Sequence, residues 1–132
     1  MATSLSLFGA LLTLVQVSYT QDIIYVSPKP NSTHHPRETN IVVRFSRNVT
    51  PDEFARIRMQ VRGSATKDHD GKLFLSDDLQ TIIFNPAQEF APEEVVEVGV
   101  ARGSPSRFYS FSFTISPPSR ETENQEFYRC HP

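Results

Sequence analysis

Several short clusters carry side chains that could do chemistry. Asp77 and Asp78 stand side by side in LSDDLQTIIFNP, Leu75 to Pro86, and paired carboxylates can hold a cation or exchange protons. Neighbours on a strand point to opposite faces, which argues against a chelating pair. Aspartate also accepts hydrogen bonds from nearby backbone N–H groups and tolerates left-handed geometry, so the expected role is to close a turn. Asp68-His69-Asp70-Gly71 resembles the opening of a calcium loop. The twelfth position counted from Asp68 is Leu79, however, where a bidentate glutamate is needed. A turn ending at Gly71 is the preferred reading, and a loose site on Asp68 and Asp70 the alternative. His34 and His35 have no Cys or acidic residue at a recognisable ligand spacing and read as surface histidines.

Nucleophiles fare no better. Ser104 and Ser106 sit in a turn sequence with no evident base. The chain contains no Gly-x-Ser-x-Gly elbow, no His-Glu-x-x-His pair and no glycine-rich phosphate loop. Cys130 is the single cysteine, so no intrachain disulfide can form. Near the end of a polar segment, it reads as a free thiol or half of an intermolecular disulfide. No catalytic residue, cofactor site or metal site is expected. Asn31-Ser32-Thr33 and Asn48-Val49-Thr50 fit the N-glycosylation acceptor pattern, which makes Asn31 and Asn48 candidate glycan acceptors in a host that modifies exported proteins.

The elements that must position these residues follow a period of two. Ile41, Val43 and Phe45 share one face, as do Leu73 with Leu75, Ile82 with Phe84, and Val96, Val98 and Val100. In YSFSFTIS, Phe111, Phe113 and Ile115 alternate with Ser110, Ser112 and Thr114. A strand delivers all three to one core, whereas a helix would scatter them. With Ile23–Val26 and 58–62, where Met59 and Val61 point inward, the count is about seven short strands. They are separated by stretches rich in Pro, Gly and Asx, the pattern of an antiparallel sandwich or barrel. One helical turn is expected at Thr50-Pro51-Asp52-Glu53. Thr50 can cap it, Pro51 suits the first position, and Glu53 completes a capping box.

The 132 residues, 38% hydrophobic, support one domain. With 13 basic and 15 acidic residues interspersed, there is no basic stripe for nucleic acid. Residues 1–20 carry no charged side chain, and the apolar run Leu5 to Val17 falls short of the roughly 20 residues that span a bilayer. It reads as the core of a signal peptide ending near Thr20, with an uncleaved anchor as the alternative and no stable membrane span expected. From 117 to 132 the polar, proline-marked composition reads as a disordered tail. The expected location is outside the cell or on its surface.

The order VSPKPNS, TNIVVRFSRNV, LFLSDDLQTIIFNP, FAPEEVVEVGV resembles the bacterial Ig-like domain of the SbsA type over about 22–116. Phe45-Ser46, Thr81 to Pro86 and Phe90-Ala91-Pro92 carry the likeness. Glu93 stands where that family usually has glycine, so the corner is expected to form without positive φ. The resemblance implies an all-β, antiparallel Ig-like β-sandwich without catalytic residues, acting as a spacer or interaction module. A protein or glycan partner would bind through loops or an edge strand. The alternatives are an N-terminal accessory domain of a larger secreted enzyme, of sulfotransferase or hydrolase type, and a carbohydrate-binding module using Tyr25, Phe74 and Tyr109.

Overall fold

The computed structural model describes residues 22–102 and 107–119. The expected signal segment, Ser104, Ser106, Cys130 and all but the start of the expected tail lie outside them. The described residues contain eight strands: β1 (Ile23–Ser27), β2 (Ile41–Phe45), β3 (Arg58–Gly63), β4 (Lys67–His69), β5 (Gly71–Leu75), β6 (Thr81–Pro86), β7 (Val95–Arg102) and β8 (Arg107–Thr114). They form two four-stranded antiparallel sheets, ordered β1-β2-β6-β5 and β4-β3-β7-β8. The fold is the expected antiparallel sandwich.

Alternation sets which side chains meet between the sheets. Ile41, Val43, Phe45, Ile82 and Phe84 come from the first sheet, and Val61, Val96, Val98, Val100, Phe111 and Phe113 from the second; all are buried. Each such side chain contributes roughly 1.5–3 kcal/mol by leaving water. Leu73, Leu75 and Met59 pack against this core as its partly buried margin. Phe90, fully buried, meets Phe113 edge to face at 6.1 Å between ring centres.

The one helix among the described residues, α1 (Pro51–Arg56), begins as its sequence dictates. Thr50 Oγ1 accepts from the Glu53 N–H, and Glu53 Oε2 accepts from the Thr50 N–H at 3.0 Å.

Three expectations need correction. The stretch assigned to a turn ending at Gly71 contains β4, which pairs with β3 through Val61↔His69, Arg62↔Asp68 and Gly63↔Lys67. That short polar strand raises the count to eight, and the chain then crosses between sheets at Asp70. The Glu93 corner does adopt positive φ, at 60°. Its N–H donates to Ser116 O at 3.1 Å and the Glu94 N–H donates to Ala91 O, which holds the left-handed bend without glycine. Finally, His35 is not a plain surface residue. It bridges to Ile115, its ring lies 5.5 Å from that of Phe113, and Nε2 is 2.6 Å from Ser32 Oγ. His34 is exposed.

Candidate functional site

In the Asp77-Asp78 pair, Asp78 is the residue that holds the turn. Asp78 Oδ1 accepts from the Gln80 and Thr81 N–H groups, each at 2.9 Å, and Oδ2 accepts from Thr81 Oγ1 at 2.6 Å. These bonds, the Thr81 hydroxyl first, hold its carboxyl below the usual range. Leu79 takes φ 58° and its N–H donates to Ser76 O at 2.9 Å, closing the β5–β6 hairpin. Asp78 is therefore a turn anchor, its carboxylate engaged by Gln80 and Thr81 with Arg44 Nε 3.9 Å away.

Asp68 and Asp70 diverge with the sheets. Asp68 faces Arg62 at 4.0 Å on β4, while the Asp70 carbonyl accepts from Ala87 N–H at the crossing. No group of three or more His, Cys, Asp or Glu side chains is placed to hold a metal among the described residues. Asn31 and Asn48 are both exposed. Asn31 takes φ 61° and its N–H donates to Ser112 O at 2.7 Å. Asn48 Oδ1 accepts from Gln80 Nε2 at 3.1 Å.

Two polar centres escaped the reading of the sequence. Glu94 is only 2% exposed, yet its carboxylate accepts from the N–H groups of Ala65, Thr66 and Ala91 at 2.7–2.9 Å and from Thr66 Oγ1. Burial pushes its pKa upward, but the bonds from Thr66, Ala91 and Ala65 together outweigh that and leave it lowered. Because the Thr66 hydroxyl proton goes to Glu94, the His69 Nε2 beside that oxygen must carry the proton they share. Gly63 gives way to this carboxylate: a Cβ there would lie 1.8 Å from Glu94 Oε1. The second centre is Arg102, 8% exposed, whose Nη2 donates to Glu53 Oε2 at 3.2 Å. Its guanidinium carbon sits 4.6 Å above the Phe45 ring, and Nη1 has no hydrogen-bond partner among the described residues. Both centres brace the fold: Glu94 ties the Ala65–Thr66 turn to the Ala91 corner, and Arg102 ties β7 to α1.

What remains are the outer sheet faces. On the first sheet, register sets Ser27 beside Val42, Val42 beside Ile83 and Ile83 beside Phe74. Phe74 is 48% exposed, and Tyr25, in the next row, 55%. On the second sheet, Gln60, Gly99 and Ser110 share a row, as do Arg62, Glu97 and Ser112. Tyr109 points inward, its ring 5.8 Å from Phe111. Tyr25, Phe74 and Tyr109 thus do not form one aromatic row. The exposed aromatic on the second sheet is Phe108, whose ring lies across Gly99; the only signal for it was an aromatic of opposite parity to Phe111.

Residues 20–115 match the model of the family described as bacterial Ig-like domain. The chain belongs to that family. No curated protein sequence matches it. Among solved structures it is similar to PcoC, a copper resistance protein from Escherichia coli, with TM-score 0.59 and 16% identity over 71% of this chain and 98% of that one. CopC from Methylosinus trichosporium OB3b gives 0.53 and 16%, covering 74% and 94%. L,D-transpeptidase 3 from Mycobacterium tuberculosis gives 0.52 and 19%, covering 75% of this chain but 39% of that one. Identities this low show a shared fold. No helix among the described residues is long and apolar enough to cross a membrane.

Proposed function

We propose that this bacterial Ig-like domain, of the SbsA type, is an exported, non-catalytic module that acts by contact, docking a partner protein or an adjoining domain against the outer face of its first sheet. The observation that carries the reading is the row Val42–Ile83–Phe74, with Tyr25 beside it. A half-exposed apolar row flanked by Arg44 and Thr81 has the character of an interface: an aromatic centre with a polar margin. The order of SbsA-type motifs and the uncharged leader support the subtype and the export. A photo-crosslinking residue placed at Phe74, and separately at Glu97 on the other sheet, tests it in the secreting host. Crosslinks from position 74 and not from 97 are expected; equal crosslinking, or none, would count against the reading.

One observation favours a narrower version. The likeness to L,D-transpeptidase 3 covers 39% of that chain, as expected of a module set beside an enzyme domain. In that case the crosslink from Phe74 would be intramolecular, within a longer polypeptide.

A further inference from the structure

The outer face of the second sheet carries a trough of about 590 Å³, open to solvent and within the roughly 300–1,000 Å³ of small-molecule sites. Its lining includes Pro30 and Asn31 beside the Ser112 end of β8, Ser110 and Phe108 further along β8, and Gly99 on β7 opposite Ser110. Gln60, Arg62 and Glu97 complete its polar lining.

Two features are specific. Phe108 is 62% exposed, and the Cζ–Cε2 edge of its ring leans over β7 where Gly99 has no side chain; a Cβ there would come within 2.7 Å of Cζ and 2.8 Å of Cε2. The ring thus meets the sheet by an edge and leaves most of its surface open to solvent. The electron-rich face of an aromatic ring receives the weakly positive C–H groups of a pyranose, and serine hydroxyls beside it match the sugar's own. The second feature is Asn31, which lines the trough itself. Its backbone is pinned to the edge of β8 by its bond to Ser112 O, and Thr114 N–H donates to Ser32 O at 2.9 Å. A group attached to its side chain would therefore start within the trough's lining. Phe108 lies four residues along β8 from Ser112, about 14 Å away.

We propose that the trough is a saccharide site and that its occupant is the chain's own N-glycan on Asn31, whose first sugars lie along Ser112 and Ser110 and stack on Phe108. This rests on the export reading. The modification joins Asn31 Nδ2 to sugar C1. The donor is a lipid-linked oligosaccharide: its C1–O bond to the lipid diphosphate breaks, the lipid diphosphate leaves with the electron pair, and the amide gives up a proton. Asn48 is placed differently. Its amide bonds Gln80, Val49 beside it is buried, and the Thr50 hydroxyl that completes its acceptor motif caps α1. A glycan there has no comparable trough among the described residues.

The test is secretion of the full chain, with its own leader, from a glycosylating eukaryotic host. Occupancy is read by mass spectrometry and melting temperature before and after enzymatic glycan removal. Asn31 is expected to be occupied, and its glycan to raise the melting temperature by about 4 °C or more. Asn31→Gln should abolish that gain and Asn48→Gln should leave it. Phe108→Ala should erase it, and Ser110→Lys, which fills the floor while keeping the aromatic residue, should do the same. A gain that survives both substitutions, or an occupied Asn31 with no gain, overturns the docking while leaving export standing. Loss of secretion, with neither asparagine modified, would instead remove the export reading. If N,N′-diacetylchitobiose stabilises the Asn31→Gln variant more than the native glycan stabilises the parent, the trough serves an external sugar and the proposal falls.

Discussion

The left-handed backbone at Glu93 crowds its Cβ against the following carbonyl, a strain of about 1–2 kcal/mol that glycine escapes. Glu93→Gly should therefore stabilise the domain by about 0.5–1 kcal/mol, after allowing for the extra freedom glycine gives the unfolded chain. A higher urea midpoint at unchanged slope would show it. Beside it, Glu94 sets an acid limit. Its pKa lies below the ordinary 4.5 in the folded state, so its contribution is full above that value and fades as pH falls through the folded one. Glu53, held low chiefly by the Thr50 N–H, and Asp78 act in the same direction. Glu38, raised by sharing a hydrogen bond with Glu89, runs opposite: its contribution is present at low pH and lost as pH rises. Glu94→Gln should cost about 1–3 kcal/mol at neutral pH, because an amide turns N–H toward donors that need an acceptor. Urea midpoints from about pH 6 to 3 should fall less steeply in the variant than in the parent.

Elements whose sequence repeats with the period of their own backbone were legible. Alternation in Ile41–Phe45 and Arg107–Thr114 placed the buried residues on one face because burial and pleat share a period of two. Phe111→Ala should cost about 3–5 kcal/mol, measured as a drop in the denaturation midpoint. The start of α1 was legible for a different reason: Thr50, Pro51 and Glu53 act on one another within three residues. Thr50→Ala should lower stability by about 1 kcal/mol, whereas Thr50→Ser should nearly preserve it. β4 was illegible because Lys67, Asp68 and His69 are polar and too few to show a period; only pairing with β3 makes them a strand. Glu94 was hidden because three of its donors lie near residue 65, and one sequence does not reveal contacts that distant.

At the scale of the molecule, the sandwich followed from strands that each have one apolar face and must be covered, and so the architecture was readable before any contact was. The candidate surfaces were not. Whether an exposed aromatic faces water depends on which residue lies across the strand, as Gly99 does beneath Phe108. Dispersal of the acidic residues also bears on the whole: millimolar calcium should leave the melting temperature unchanged, and a rise of several degrees would reveal a site. One feature reaches further. Asp22 and Ile23 lie near Val100 and Arg102 at one end of β7, while Ser116 bonds Glu93 and His35 near the other. The domain is thus entered at one pole and left at the opposite one, about 25 Å away along an eight-residue strand. Tension applied through its ends would run along β8, shearing its bonds to β7 and to the 31–35 segment in parallel instead of unzipping them one at a time. Modules joined in series this way would behave as stiff links, yielding abruptly and at high force.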